Sequence, residues 1–265
     1  MSVNVGLLVV GNEILDGVVL DTNSQWVIKQ LRPLNLQVRE RMTVRDDVSD
    51  MSMALRRLVS DRCALVITMG GLGPTHDDKT LSGVAEAFGL PLELNPDALD
   101  IVTRRYRELH EGGIVDTAEI TASRRKMAIL PRGARPLDNR VGSAPGVSLV
   151  VEGVRVICLP GVPREMMWIF ENEVLDILKG MVRGAYAERF ITLPLKDESL
   201  LAPIIDEVMR QVPSVYVKSM VKPLGERGIR IWISSVGESQ EVVEKRLELA
   251  EKKLTQMVEE GVTIV

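Results

Sequence analysis

The sequence has few of the residues that build disulfide frameworks or zinc sites. It contains two cysteines, Cys63 and Cys158, and two histidines, His76 and His110. Each cysteine lies in an apolar, strand-like run, where a small buried thiol is the expected role. We therefore expect neither a disulfide framework nor a zinc site of imidazole and thiolate ligands, and any bound metal should have oxygen ligands.

The sequence also lacks an excess of one charge and a long apolar run. Its 33 basic and 37 acidic residues give a formal net charge of -4, which provides no global attraction to nucleic acid or to an anionic membrane. The apolar run Val5–Val10 has no basic leader and is far shorter than the ~20 residues of a membrane span. We therefore expect a cytoplasmic protein without a membrane partner.

Aromatic residues are scarce, with three each of phenylalanine, tyrosine and tryptophan. The sequence shows no aromatic stacking platform and no basic stripe beyond Lys218 and Lys222. These absences argue against nucleic acid as a partner.

The first part of the chain alternates apolar strands with helices. With 45% hydrophobic residues among 265, the chain can fill a sizeable core. Continuous apolar runs, typical of strands buried on both faces, lie at Val5–Val10, Ala64–Thr68 and Val154–Leu159. Together with a strand at 36–44 and helices at 21–31 and 49–59, they predict an α/β fold with a mostly parallel, doubly wound sheet.

Further helices are predicted beyond the second apolar run, at 79–88, 95–109, part of 116–130, and 163–178. Gly89 is typical of the residue that ends a helix, which fits the first of these helices. Asn95 and Pro96 are typical of a helix start, which fits the second. Glu152 and Gly153 lie between two predicted strands and are typical of a short hairpin turn. They predict that this part of the sheet is antiparallel.

The pattern changes after Gly180. The remaining elements are predicted in the order strand 188–195, helix 198–212, strands 214–219 and 228–235, helix 239–260 and strand 262–265. This split βαββαβ order is that of small α+β domains. We therefore divide the chain into a larger domain, 1–183, and a smaller α+β domain, 184–265.

A glycine-rich segment between a buried strand and a helix is the strongest indication of chemistry. The segment contains Gly70, Gly71 and Gly73, and Thr75 follows them. Glycines let the backbone N–H groups approach an anion closely, and the start of the following helix also favours an anion. The segment predicts a phosphate or pyrophosphate site. A plain strand-to-helix turn is the alternative.

Two carboxylates, Asp77 and Asp78, follow these glycines. Because they would repel a phosphate, they predict an intervening divalent cation, Mg²⁺, Mn²⁺ or Co²⁺, with both carboxylates as ligands. One of them could instead cap the following helix. Thr75 and Thr80 could each supply a hydroxyl, although Thr80 could also bond within its own helix.

Three further segments should meet the same edge of the sheet, where ligands bind in open α/β folds. The first contains Glu13, a candidate metal ligand or general base, and Asn23, a candidate helix cap or phosphate contact. The other two contain the binding candidates Asn139, Gly142, Gly146 and Gly161 and the catalytic candidate Glu165. We expect all of them to converge on one crevice.

In order and spacing, these segments closely resemble the amino-terminal domain of the competence-damage-inducible CinA proteins, in the molybdopterin-binding (MoaB/MogA-like) superfamily. The resemblance spans about residues 3 to 180 and is carried by 11–17, 21–23, 70–78, 139–146 and 160–166. It implies a three-layer fold of the molybdopterin-binding type and a homodimer. It also implies a metal-dependent ADP-ribose pyrophosphatase that yields AMP and ribose 5-phosphate.

Other branches of this superfamily provide alternatives. Leu72 lies where molybdopterin enzymes of the MogA type tend to carry threonine, which favours the CinA-like branch. Transfer of AMP onto a pterin phosphate in molybdenum cofactor synthesis is still an alternative, as is a non-catalytic nucleotide-binding regulator. Because the chain ends at Val265, we expect the nicotinamide-nucleotide deamidase domain of many relatives to be absent.

The resemblance and the residues together suggest a mechanism. The glycine loop and a metal on the aspartate pair would polarise the pyrophosphate of ADP-ribose, flavin adenine dinucleotide or a related dinucleotide. Glu13 or Glu165 would orient the attacking water. Positive side chains that could clamp the phosphates or cover the crevice are Lys79, Arg140, Arg164, Lys218 and Lys222.

Overall fold

The computed structural model describes residues 3–195, 197–220 and 228–260, and these form two compact units. The larger unit holds residues 3–31 and 36–181. The smaller unit holds residues 32–35 and the described chain from residue 182 onwards. The chain therefore passes between the units next to the boundary expected at 183/184, and the short segment 32–35 groups with the smaller unit.

The larger unit is built on a six-stranded mixed sheet with the order β2-β1-β3-β8-β7-β6. The strands described in the two units are β1 (Val3–Val10), β2 (Leu36–Val44), β3 (Leu65–Met69), β4 (Leu92–Leu94), β5 (Ile129–Pro131), β6 (Arg135–Leu137), β7 (Gly146–Val151), β8 (Val154–Leu159), β9 (Ala185–Leu193), β10 (Val215–Met220) and β11 (Ile229–Gly237). β1, β2, β3 and β8 run parallel, whereas β7 pairs antiparallel with β6 and β8. This arrangement confirms the predicted parallel sheet with an antiparallel hairpin.

Helices alternate with these strands. They are α1 (Asn12–Leu15), α2 (Thr22–Leu31), α3 (Val48–Ser60), α4 (Thr80–Phe88), α5 (Pro96–Glu111), α6 (Ala122–Lys126), α7 (Pro163–Ile169), α8 (Leu175–Lys179), α9 (Ala202–Gln211) and α10 (Gln240–Glu259). Across the described ranges, no helix is long and apolar enough to span a lipid bilayer.

The central sheet is buried on both faces, as its continuous apolar strands predict. On one face, Leu8, Val66 and Val156 pack with residues of α3, α4 and α5 in a single apolar cluster. Alternate residues such as Leu7 and Ile67 point to the opposite face and are also completely buried. The sheet is therefore the middle of three layers.

Capping residues set several helix ends where the sequence places them. The Asn95 side chain accepts a hydrogen bond from the Ala98 N–H at 3.0 Å, and Pro96 begins α5. Gly89 ends α4 in the left-handed conformation, with φ 62°. An aspartate cap on α4 is not formed, because Lys79 precedes that helix and its side chain makes no capping hydrogen bond.

The structure differs from the prediction mainly in short elements. The helix expected within 116–130 covers only Ala122–Lys126, and the helix expected over 163–178 is interrupted by a π-helical turn at Phe170–Val174. The strands β4, β5 and β6 and the four-residue α1 were not predicted. Three or four residues are too few to show a hydrophobic period.

The smaller unit packs two helices against one face of a three-stranded antiparallel sheet. The strand order is β10-β11-β9, and α9 and α10 cover an apolar cluster on that face. The predicted order βαββα is confirmed over the described residues. The final strand, predicted at Val262–Val265, lies outside them.

We predict that Leu55→Ala destabilises the larger unit by about 3 kcal/mol, because the completely buried side chain leaves a cavity between α3 and the sheet. Met53→Ala in the same helix is the matched control, since Met53 is 63% exposed, and it should change the free energy of unfolding by less than about 0.5 kcal/mol. Denaturant unfolding of both variants measures the difference. Equal losses would contradict this packing.

Candidate functional site

Three strand ends meet at the carboxyl edge of the central sheet. In the parallel register, Val9 lies beside Met69, and Met69 lies beside Leu159. The turns that follow these three strands therefore start side by side. The Gly70 N–H donates to the Leu159 carbonyl at 3.0 Å, which ties two of the turns together.

Gly70 and Gly71 shape the loop after β3. Their φ angles, 106° and 66°, are positive and favour glycine. A Cβ at Gly70 would overlap the Val10 carbonyl oxygen, and one at Gly71 would overlap the Thr80 hydroxyl. That hydroxyl donates to the Gly70 carbonyl at 2.8 Å, so Thr80 braces the loop instead of bonding within its own helix.

The next backbone N–H groups of this loop lack partners. Within the described part of the chain, the N–H groups of Gly71, Leu72 and Gly73 donate to no acceptor. Leu72 is only 5% exposed, and an unpaired N–H group in a buried place costs free energy. Three such groups in succession after a strand end can satisfy an anion.

A cavity of about 220 Å³ lies beside the glycine loop. Its apolar walls come from Leu72, Leu81, Leu92, Met127 and Ile129, and its polar side chains are those of Asp78, Ser82 and Lys126. Asp78 lines this cavity, whereas Asp77 is not among the described residues that do. Of the two aspartates predicted to bind a metal, Asp78 can therefore contact a molecule bound in the cavity more directly than Asp77 can.

Thr75 organises the aspartate pair. Its hydroxyl lies 2.6 Å from Asp78 Oδ2 and also contacts Asp77 Oδ1, and its N–H donates to Asp78 Oδ2 at 2.9 Å. The hydrogen bond from Thr75 holds the pKa of the Asp77 carboxyl below its ordinary value, so Asp77 is charged at neutral pH. The Lys126 ammonium donates to the Thr75 carbonyl. Burial lowers the pKa of this ammonium, and the negative charges of Asp78 and Asp77 offset part of that effect.

These contacts can be compared with the needs of the predicted metal. Two carboxylates and a hydroxyl are hard oxygen donors, and Mg²⁺ is commonly held by one or two carboxylates together with substrate phosphates. In the ranges that the structure describes, no three histidine, cysteine, aspartate or glutamate side chains are grouped to hold a metal. The donor set therefore fits a cation shared with a bound phosphate, and Lys126 is a competing positive charge.

A second cavity, of about 100 Å³, lies between the turns after β1 and β8. Three predicted site residues, Glu13, Asn23 and Gly161, line it. The Asn23 amide donates to the Gly161 carbonyl at 2.7 Å, while its buried Oδ1 has no partner among the described residues. The cap of α2 is Asp21, which accepts from the Ser24 N–H at 2.9 Å, so Asn23 is not needed as a cap.

Asn139 organises the loop between β6 and β7, and its role as a nucleotide contact stays a prediction. The residue is completely buried. Its Oδ1 accepts from the N–H groups of Val141 and Gly142 at 3.0 and 2.9 Å. Its amide donates to the Ala144 carbonyl at 2.7 Å and to Glu165 Oε2 at 2.8 Å. Its amide oxygen and nitrogen are thus both bonded within the protein, and these hydrogen bonds hold the loop together.

Gly142 and Gly146 also serve packing in this loop. Gly146 is the buried first residue of β7, and a Cβ there would lie 3.0 Å from Ile169. Its binding role stays a prediction. A Cβ at Gly142 would overlap the Glu165 carboxylate. The Gly142 carbonyl accepts from Arg105 Nε at 2.8 Å, so the nearly buried Arg105 fastens the loop to α5.

Glu165 lies half-buried in the first turn of α7, against the same loop. Burial raises the pKa of its carboxyl, and the hydrogen bond from Asn139 and the charge of Arg105 offset only part of that effect. A carboxyl with a raised pKa suits proton transfer. Its role in orienting water stays a prediction, as does that of the exposed Glu13.

The positively charged residues that were predicted to contact the phosphates or cover the crevice lie in separate parts of the chain. Arg140 pairs with Asp138 at 3.1 Å, Lys79 precedes α4, and Arg164 is exposed in the first turn of α7. Lys218 lies on β10 of the smaller unit, and Lys222 lies outside the described residues.

The sequence did not identify Lys126 and Arg105 as positive side chains that contact the site loops. Their hydrogen bonds span 51 and 37 residues of sequence. The only local signal was the basic cluster at 124–126.

Comparison with known proteins identifies the family. A family described as "probable molybdopterin binding domain" matches residues 6–180, and the chain belongs to this family. Protein PH0439 of Pyrococcus horikoshii is 38% identical over 247 residues, which are 93% of this chain and 94% of that protein. A protein of Aeropyrum pernix is 44% identical over 214 residues, or 80% of this chain and 77% of that protein.

A solved structure places the chain more narrowly within this family. The crystal structure of the protein CinA, of unknown function, from Thermoplasma acidophilum is 38% identical with a TM-score of 0.60. The match covers 66% of this chain and 98% of that one. The predicted CinA-like resemblance and the molybdopterin-binding type of fold are thereby confirmed.

We predict that Glu165→Gln stabilises the protein at neutral pH, because the amide oxygen can still accept from Asn139 but the buried position no longer holds a charge. The folded-state pKa of Glu165 is raised, so ionisation of its carboxyl lowers stability as the pH rises from the unfolded-state pKa to the folded-state pKa. Below both values the carboxyl is neutral, and the gain should vanish. Thermal unfolding across this pH range measures it. Glu171→Gln, at an exposed position, is the control, and an equal gain there would contradict the explanation.

Proposed function

We propose that the larger unit binds molybdopterin, a pterin that carries a phosphate, with the phosphate on the glycine loop. The observation that carries this proposal is the row of N–H groups at Gly71, Leu72 and Gly73, which have no acceptor in the described chain. A bound phosphate would accept from these groups. The description of the matched family supports a pterin as the rest of the ligand.

The cavity beside the loop has the chemistry that a pterin ring requires. Leu81, Met127 and Ile129 offer apolar surface to a flat ring, and a few polar groups in an apolar pocket give orientation. Asp78 can accept hydrogen bonds from ring N–H groups, since an ionised carboxylate is an acceptor only. This role explains one acidic side chain at the site without a metal.

Lys126 brings the positive charge that the ligand phosphate needs. It lines the cavity and is attached to the loop through the Thr75 carbonyl. Transfer of AMP onto the pterin phosphate would use the same loop and lysine to position the phosphate, because such transfers depend on positioning and charge stabilisation. The adenylylating function is therefore an extension of the binding function at one site.

Lys126→Ala should weaken the binding of molybdopterin about tenfold to a hundredfold, because a hydrogen bond to a charged group contributes about 1.5–3 kcal/mol. An anaerobic titration that follows pterin fluorescence measures the dissociation constant. Arg125→Ala is the matched control, since Arg125 is exposed on the same short helix and does not line the cavity. Equal affinities of the Lys126 variant and the control would remove Lys126 from the proposed site.

The aspartate pair favours a second candidate, metal-dependent hydrolysis of ADP-ribose to AMP and ribose 5-phosphate. Asp77 and Asp78 bring carboxylate oxygens to the Thr75 hydroxyl, a donor set that fits a cation shared with a pyrophosphate. A bound divalent cation would stabilise the charge that develops during phosphate cleavage. Of the two carboxylates predicted to orient water, Glu13 is exposed, whereas Glu165 accepts a hydrogen bond from Asn139.

An assay for AMP separates the two candidates. The purified chain is incubated with ADP-ribose and Mg²⁺, Mn²⁺ or Co²⁺, and flavin adenine dinucleotide is tested in parallel. If the second candidate holds, AMP forms, and the double variant Asp77→Asn with Asp78→Asn lowers the rate about a hundredfold or more while the protein stays folded. Absence of AMP with all three metals rejects the hydrolase and leaves the binding proposal intact.

The proposal includes three further expectations: a non-catalytic regulator as an alternative, a homodimer and a nucleotide substrate. A non-catalytic regulator would bind nucleotide tightly and form no product in either assay. The homodimer and the nucleotide substrate are supported by the CinA resemblance alone.

A further inference from the structure

The three-stranded sheet of the smaller unit has two different faces. One face packs against α9 and α10, and its side chains, such as Val217, Ile231 and Ile233, are buried. The core on that face is entirely aliphatic among the described residues. The opposite face belongs to the alternate residues of the same strands, and a sheet face next to solvent is ordinarily polar.

This opposite face is aromatic. The chain has only three residues each of phenylalanine, tyrosine and tryptophan. Four of them lie here, and together they are named the aromatic face: Tyr186, Phe190, Tyr216 and Trp232. Phe190 and Tyr216 are each 47% exposed. The sequence shows no such cluster in any one segment, but the fold assembles one from three strands.

The strand register aligns a cation with two of the rings. Lys218 lies opposite Trp232, and Trp232 lies opposite Phe190, so the three side chains form a row across the sheet. Tyr216 packs edge-on to Trp232 with ring centroids 5.6 Å apart. Neighbouring strands are about 4.8 Å apart, so this row spans about 10 Å, enough for more than one base.

Polar contacts hold the rings in place. Trp232 Nε1 donates to Glu188 Oε2 at 2.7 Å, and the Tyr186 hydroxyl donates to the same oxygen at 2.6 Å. Arg32, which also pairs with Glu188, lies 5.1 Å from the centre of the Trp232 ring. The tryptophan ring is therefore oriented by hydrogen bonding and covered in part by a guanidinium group, which can itself stack on a base.

The charge of this face is positive. Arg32 offsets the charge of Glu188. Lys218 and Arg230 are exposed and form no ion pair with any described residue, and Arg230 lies 4.6 Å from the centre of the Phe190 ring. On a chain with a net charge of -4, this local excess of positive charge is complementary to an anionic partner.

We infer that the aromatic face binds single-stranded nucleic acid, with two or three bases stacked on its rings and phosphates held by Lys218 and Arg230. Flat rings beside cations that form no ion pair with a described residue match a ligand in which flat bases alternate with phosphates. This activity lies in the smaller unit and goes beyond the function proposed for the larger one. It therefore stands or fails independently of pterin binding.

A second copy of the chain fits this face less well. In a symmetric dimer the same surface would meet itself, so the excess of positive charge on one copy would meet the same excess on the other. Such a contact would bury unpaired charges, which is unfavourable. Self-association through the aromatic face is therefore the competing outcome that the experiment must detect.

The test is fluorescence anisotropy of the full chain with labelled single-stranded DNA and RNA of about 10 nucleotides at low salt. We expect binding, and we expect the double variant Phe190→Ala with Tyr216→Ala to weaken it about tenfold to a hundredfold, because each lost stacking contact removes substantial affinity. Lys218→Ala should reduce the slope of log affinity against log salt by about 0.7.

Three controls make the result specific. Leu249→Ala removes an apolar side chain that is 45% exposed on α10, on the other side of the sheet, and should leave binding unchanged. The conservative pair Phe190→Tyr with Tyr216→Phe keeps the rings and should retain binding. Circular dichroism and thermal unfolding should show that every variant is folded.

Several results would overturn the inference. The first is that neither nucleic acid binds at low salt. The second is that the double alanine variant binds as tightly as the wild type. Light scattering provides the third: a dimer of the wild type that the double alanine variant converts to monomer would make this face a contact between copies.

Discussion

The close approach of Gly70 to two neighbouring strands is the constraint on which the candidate site depends. Its N–H donates to the Leu159 carbonyl, and its α-carbon lies so near the Val10 carbonyl that no side chain fits between them. This contact holds three strand ends at one edge and makes the chain turn sharply. The turn carries the next N–H groups away from any described acceptor, which leaves them available for the anion that the proposed function requires.

Charge decides which chemistry suits this edge. Asp77 and Asp78 both repel a phosphate, and Lys126 offsets only part of their charge. If a divalent cation joins them, the carboxylates serve as its ligands and a pyrophosphate can be accommodated beside them. Without that cation, Asp78 can accept hydrogen bonds from a ring in the cavity. The two proposed functions thus differ by one ion at a common set of residues.

Features set by neighbours in sequence were predictable. Apolar runs such as Val5–Val10 identified the buried strands, and the glycine segment identified the turn after β3, because both signals are local. Lys126 and Arg105 were not predictable, since they reach their loops across 51 and 37 residues. The hydrogen bonds of Asn139 within its own loop were not predictable for a related reason: an amide in a loop can face a ligand or bond back to the loop, and the sequence does not distinguish these.

The aromatic face was hidden by the geometry of strands. Because side chains alternate between faces, its residues are spread over three separate segments, and each one alone is typical of a strand. The aliphatic core of the smaller unit does not need them, so core packing does not explain their position. Hydrogen bonds to Glu188 hold Trp232 and Tyr186 in place before any partner arrives. A surface already ordered in this way loses less entropy on binding, which is an advantage only if the face has a ligand.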